Sequence, residues 1–320
     1  MGQETDTPRA AADVPPRLRG VLAPVLTPFG PDLAPDPRRL AAHCRWLLAH
    51  GCAGLAVFGT TSEANSLSVG EREELLEALL ADGIPAGRLM PGTGCCALPD
   101  TVRLTALAVR RGCAGVLTLP PFYYKGVSDD GLFRSFAELV ERVGDRRLRV
   151  YLYHIPPVAQ VGISPELVER LLRAYPGVIA GMKDSSGDAG TTRTMLDLFG
   201  GRGFDVFVGS ERFLLAGMRA GGAGCITATG NVNPAAIDRL FREWRSPEAE
   251  RLQAELDAVR ALVEKVPLIA GLKEMVAHHA GDPGWRTVRP PLVELSSAQR
   301  QGLLADLRQA GFAMPGLGNR

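Results

Sequence analysis

Short apolar runs recur along the chain, and longer amphipathic stretches lie between them. Val21–Thr27, Gly54–Phe58, Leu89–Gly92, Gly115–Leu119, Leu148–Tyr153, Val178–Lys183, Asp205–Gly209 and Gly224–Thr227 are rich in Val, Ile and Leu and read as strands. Pro37–His50, Val69–Ala81, Asp100–Arg111, Asp130–Val143, Pro165–Ala174, Thr191–Phe199 and Glu211–Ala220 carry helical periodicity. Strands that alternate with helices imply a parallel sheet. Eight such units over roughly 220 residues fit a closed (β/α)8 barrel, the TIM barrel, better than an open doubly wound sheet.

Beyond Thr229 the rhythm changes. Pro234–Arg245, Pro247–Glu264, Leu268–His279 and Ser297–Ala310 look helical, with no strand between them. The expected organisation is a disordered polar tail over residues 1–16, a barrel over 17–233 and a C-terminal helical extension over 234–320. The extension is expected to pack on the barrel.

Composition narrows the function classes. Of the 320 residues 46% are apolar, enough for one large core, and the formal net charge is only +1. That balance argues against a nucleic-acid or membrane-surface partner, but one or two placed donors still suffice for a small acidic substrate. No apolar stretch is long enough to span a bilayer. Met1–Pro16 lacks the basic start and apolar centre of a secretory signal, so the cytoplasm is the expected compartment. The six cysteines form no C-x-x-C pair and read mostly as buried free thiols.

On a barrel, chemistry belongs at the C-terminal ends of the strands. The sixth run, Val-Ile-Ala-Gly-Met-Lys, ends on Lys183. Burying an ammonium is costly, so this lysine snorkels out, pairs with Asp184, or serves as a nucleophilic amine in a desolvated barrel mouth. The fifth run places Tyr151 and Tyr153 on one face and Leu152 on the other. Tyr153, near the strand end, is either packing or a proton relay. His154 points the opposite way and reads as structural. The second run is followed by Gly59-Thr60-Thr61-Ser62-Glu63. Gly59 permits a turn, and Thr60 and Thr61 offer hydroxyls and successive N–H groups suited to a carboxylate; a helix cap would use the same residues. The loop after the fourth run carries Tyr123 and Tyr124.

These segments together resemble the dihydrodipicolinate synthase/N-acetylneuraminate lyase family of pyruvate-dependent class I aldolases, from Gly20 to Pro291. The family's motifs match Gly59-Thr60-Thr61-Ser62-Glu63, Tyr153-His154-Ile155-Pro156 and Gly181-Met182-Lys183-Asp184-Ser185-Ser186-Gly187. Gly92-Thr93-Gly94 and Gly209-Ser210-Glu211 also fit. The resemblance implies that Lys183 forms a Schiff base with pyruvate or a longer 2-oxo acid and that Tyr153 shuttles protons. It further implies that Thr60 and Thr61, in the loop opened by Gly59, hold the substrate carboxylate. Thr60 would also extend the relay. Counting back from Ser128-Asp129-Asp130-Gly131, Tyr124 matches the tyrosine donated across a tight dimer interface, and Ile226 matches a position whose backbone faces the keto acid. Family members are usually tetramers, pairs of dimers. No metal or other cofactor is called for, because the iminium replaces a Lewis acid.

One departure bears on the substrate. Authentic dihydrodipicolinate synthases carry an arginine after the strand-five tyrosine that binds the carboxylate of the incoming aldehyde. Here that segment reads Pro156-Pro157-Val158-Ala159-Gln160-Val161-Gly162, without a cation. Losing an arginine fork typically costs a few kcal/mol, or roughly 100-fold or more in discrimination. Lys125 is the nearest candidate substitute, and Ser62 replaces the family's usual glycine. The expected activity is therefore retro-aldol cleavage, aldol condensation or dehydration of a 2-oxo acid, outside lysine biosynthesis. The alternatives are a 4-hydroxy-tetrahydrodipicolinate synthase that uses another cation and a non-catalytic small-molecule-binding relative.

Overall fold

The structure is a computed structural model and describes residues 16–318; the expected tail lies outside these residues, apart from Pro16. Seven short strands form one parallel sheet: β1 (Gly20–Ala23), β2 (Gly54–Leu55), β3 (Val116–Thr118), β4 (Val150–His154), β5 (Ile179–Asp184), β6 (Asp205–Val208) and β7 (Gly224–Ile226). Their order is β2-β1-β7-β6-β5-β4-β3. The gap between β2 and β3 is filled by the third expected strand, Leu89–Gly92, which is reduced to isolated parallel bridges, Leu55 with Leu89 and Gly92 with Leu117. Pro91 explains the reduction, because it brings no N–H to the ladder. The flanking bonds remain: Met90 N donates to Leu55 O at 2.9 Å, and Leu117 N donates to Pro91 O at 2.9 Å. The sheet therefore closes into a barrel.

Two strands end earlier than the apolar runs suggest. β1 stops at Ala23, before Pro24. The backbone of residues 24–26 bonds instead to a side chain: Leu26 N donates to Asn231 Oδ1 at 3.0 Å, and Asn231 Nδ2 donates to Pro24 O at 3.0 Å. β2 ends at Leu55, and by Phe58 the backbone has turned to φ +61°.

The connecting helices follow the expected periods: α1 (Pro37–Ala49), α2 (Val69–Ala81), α3 (Leu98–Arg110), α4 (Asp129–Val143), the one-turn α5 (Pro156–Ala159), α6 (Pro165–Ala174), α7 (Ala189–Phe199) and α8 (Leu214–Arg219). Their starts are written in the sequence. Asp36, Ser128 and Ser164 cap the first N–H groups of α1, α4 and α6, and Ser68 with Glu71 forms a capping box on α2. Four more helices follow the last strand: α9 (Pro234–Glu243), α10 (Ala249–Val263), α11 (Leu268–Ala280) and α12 (Ser297–Gln309). α9 packs on β1 and α8, whereas α10 lies against the Glu211–Phe213 turn at the barrel mouth.

The core has two layers. Inside the barrel, Leu22, Ala56, Met90, Tyr151, Phe207 and Ile226 interlock with their neighbours. A larger cluster fills the space between strands and helices. Cys44, Cys52, Cys113 and Cys225 are buried thiols, Cys95 is half-buried and Cys96 is exposed. No described helix is long and apolar enough to cross a membrane.

Candidate active site

Strand register brings the lysine and the tyrosine together. In the β4–β5 ladder Tyr153 is the direct partner of Lys183, and His154 is the partner of Asp184. Side chains alternate across a strand, so Tyr153 and Lys183 face the barrel interior and their neighbours face out. The Lys183 Nζ lies 3.2 Å from the Tyr153 hydroxyl and 4.3 Å from its ring centroid. Both side chains are buried. The Tyr153 hydroxyl also lies 3.2 Å from Thr60 Oγ1. A continuous line thus runs from Lys183 through Tyr153 to Thr60, each link at hydrogen-bonding distance.

Neither simple alternative for Lys183 holds. It does not snorkel, being only 5% exposed. Nor does it pair with Asp184, whose carboxylate is already occupied by Ser186 N at 2.9 Å and by the Thr192 hydroxyl. Lys183 makes no ion pair among the described residues; its polar partner is a phenol. His154 is turned away from the mouth. Its Nδ1 accepts the Ile163 N–H at 2.9 Å, and burial holds its pKa below the usual histidine range.

The threonine loop is a strained turn. Phe58 and Glu63 both adopt positive φ, +61° and +56°, a region that costs energy for residues with a Cβ. The loop bonds to itself: Ser62 N donates to Gly59 O at 3.1 Å, Glu63 N to Thr60 O at 3.1 Å, and Gly59 N to Ser62 Oγ at 3.2 Å. The N–H groups of Thr60 and Thr61 have no acceptor among the described residues. Two adjacent donors left without a partner are suited to an anion. Gly92 closes this loop from the other side, because a Cβ there would collide with the Phe58 carbonyl oxygen.

What pins the loop was not evident from the sequence. Glu63 is fully buried and forms an ion pair with Lys273 on α11, also fully buried. Lys273 Nζ also donates to Thr287 O at 2.7 Å, and Arg289 N donates to the second Glu63 oxygen at 2.9 Å. Burial pulls the Lys273 ammonium below its ordinary range, while the Glu63 carboxylate pulls it back up. A lysine inside the apolar run Leu-Ile-Ala-Gly-Leu-Lys was the one available signal. A second buried acid, Glu211, holds the floor after β6. It accepts from the Thr227 and Thr229 hydroxyls and from Arg260 NH1 at 3.2 Å. At Gly209, two residues before, a Cβ would strike Ser185 and the Asp184 carbonyl, so β5 and β6 approach closely beneath the mouth.

A cavity of about 420 Å³ opens over Lys183, lined by Thr60, Thr61, Tyr153, Val158 and Arg212 among others. A much smaller space, bounded by Gly59, Thr60, Asn65 and Gly94, lies beyond the Thr60–Tyr153 contact. Ile226 sits fully buried in the barrel interior, two residues before Ala228, which lines the cavity. Tyr124 stands apart: it is 71% exposed on the rim, with its ring edge-to-face against Tyr123 at 5.5 Å. Lys125 is committed to backbone, donating to Phe122 O and to Ala159 O at 2.8 Å.

The fold is a closed parallel barrel with Lys183, Tyr153 and Thr60 in line at its mouth, and comparison with known proteins gives the family. The model of the dihydrodipicolinate synthetase family matches residues 17–310. The chain is 34% identical to an uncharacterized DapA-like lyase of Chloroflexus aurantiacus, over 90% of this chain and 95% of that protein. It superposes with a TM-score of 0.84 on the crystal structure of dihydrodipicolinate synthase from Agrobacterium tumefaciens, at 32% identity and covering 91% of this chain and 99% of that one. A prophage protein of E. coli from the dihydrodipicolinic acid synthase family, solved in complex with pyruvate, also gives 0.84, at 26% identity over 92% and 99% of the two chains. The chain belongs to the dihydrodipicolinate synthetase family.

Proposed function

We propose that the protein is a Schiff-base-forming lyase acting on pyruvate or a longer 2-oxo acid. The observation that carries this reading is a buried lysine whose only polar partner among the described residues is the Tyr153 hydroxyl, itself linked to Thr60. The neutral Lys183 amine attacks the ketone carbon, the carbinolamine loses water, and the protonated imine becomes an electron sink. In cleavage, Tyr153 takes the proton of the C4 hydroxyl and the C3–C4 bond breaks. The aldehyde leaves, and an enamine remains on Lys183. Protonation at C3 and hydrolysis then release pyruvate and restore the amine. In condensation the enamine attacks an aldehyde, and in dehydration the imine loses a C3 proton to give an enamine that expels the protonated C4 hydroxyl as water. The free N–H groups of Thr60 and Thr61 receive the 2-oxo acid carboxylate, with Gly59 shaping the turn. The backbone near Ile226 forms the far side of the bound acid.

Tyr124 reaches the relay from a second copy of the chain. Its exposure and its place beside Tyr123 and Val127, also exposed, support an interface on this rim. The assembly is a homotetramer of paired dimers in the cytoplasm. Authentic dihydrodipicolinate synthesis is disfavoured, because Val158 and Gln160 provide no cation and Lys125 is tied to backbone carbonyls. The test is imine trapping: pyruvate and borohydride should leave a reduced adduct on the peptide containing Lys183. No adduct, under conditions that trap a pyruvate-binding relative, sinks the reading.

A further inference from the structure

The cavity over Lys183 is chemically uneven. The segment after β4 lines it with Ile155 and Val158, which are apolar. The turn after β6 and helix α10 line it with Arg212, Arg260 and Glu264. The two arginines differ. Arg260 is nearly buried and doubly committed, to Glu211 at 3.2 Å and to Glu264 at 2.7 Å. Arg212 is 39% exposed, and one of its terminal nitrogens donates to Glu264 at 2.7 Å. Its other guanidinium nitrogens have no acceptor among the described residues. Glu264 therefore bridges two guanidinium groups and keeps Arg260 if Arg212 leaves. An exposed ion pair contributes little, so exchanging it for another anion costs little. A guanidinium is also built for two-point binding of carboxylate or phosphate.

We propose that Arg212 determines specificity by anchoring an anionic group, carboxylate or phosphate, at the far end of the substrate chain. Glu264 holds the guanidinium until that anion displaces it. Arg212 thus places its cation on the β6 side of the mouth, not on the segment between Pro156 and Gly162. This subsite rests on the Schiff-base reading for the near end of the substrate.

The experiment compares 2-oxo acids of equal length with and without a distal anion. The half-saturating concentration for borohydride trapping is measured for 2-oxoglutarate and 2-oxopentanoate, with 2-oxo-4-phosphonobutanoate separating phosphate-type from carboxylate selection. The wild-type protein should favour the distal anion by about tenfold or more. Arg212→Gln should reduce this to within about twofold, whereas Glu264→Gln, which frees the guanidinium, should increase it. Equal affinities in the wild-type protein, or an Arg212→Gln loss that falls alike on both acids, overturn the proposal. If none of the acids is trapped, the Schiff-base reading fails, and calorimetric titration of the same acids into the same proteins decides the role of Arg212 by the same ratio.

Discussion

Two lysines are buried among the described residues, and they are held in opposite ways. Lys273 sits in the helical layer with a full counter-charge, Glu63, and a carbonyl, Thr287 O. Lys183 sits in the barrel mouth with a phenol and the face of its ring. A lysine paired with a buried carboxylate is committed to that partner and serves structure. One whose polar partner is a neutral phenol and which opens onto a cavity has the setting expected of a nucleophilic amine. Burial alone does not separate the two; the partner does.

The strongest test of this contrast removes each amine in turn. Lys183→Ala should abolish trapping and lower turnover by at least about 10³-fold while the thermal midpoint stays close to wild type. A trapped adduct elsewhere in the chain would move the chemistry away from Lys183. Next comes the relay. Tyr153→Phe keeps the ring over the ammonium and removes only the hydroxyl, so turnover should fall by about 10²- to 10⁴-fold with unfolding unchanged. Near-normal turnover would show that the proton travels by another route.

Lys273→Met should act on stability first. It leaves Glu63 as an uncompensated buried charge beside a strained turn, a loss of about 3–5 kcal/mol in denaturant unfolding. Adding Glu63→Gln should recover part of that loss, and a double variant no better than the single one would argue against direct coupling. Pyruvate affinity should weaken in both variants if the loop holds the carboxylate.

A third buried base, His43, marks the opposite limit. It stacks on Trp46 and its Nε2 lies 3.3 Å from Asn231 Oδ1, while burial lowers its pKa from 6.5 to about 4. The folded state thus binds this proton less tightly than the unfolded chain. Its stabilising contribution is complete above pH 6.5 and is lost as pH falls through about 4. The loss amounts to about 3 kcal/mol at most. His43→Gln should flatten stability between pH 6.5 and 4, and an unchanged pH profile would show that another group governs the acid limb.

The features legible in the sequence were those set by local rules. Period-two alternation put Tyr151 and Tyr153 on one face, and helical periodicity marked stretches such as Pro37–His50, Val69–Ala81 and Pro165–Ala174. Leu89–Gly92 was legible as a segment of the barrel but not as bridges, because Pro91 breaks the ladder without moving the chain. The Glu63–Lys273 lock was not legible, since it joins residues 210 positions apart across two elements with unrelated patterns. Arg212, Arg260 and Glu264 were hidden for the same reason: on a helix or turn a surface charge looks alike whether it faces water or a cavity.

That separation of 210 positions also sets an order in time. During synthesis the N-terminal segments emerge first, so every strand of the barrel exists before Lys273 does. Until then Glu63 has no counter-charge, and its turn is held in an unfavourable conformation by its own hydrogen bonds and its neighbours in the barrel. A nascent or truncated chain that ends before α11 would carry Lys183 and Tyr153 on their strands but lack the ion pair that pins the threonine loop. The residue that neutralises Glu63 is thus among the last parts of the site to be made.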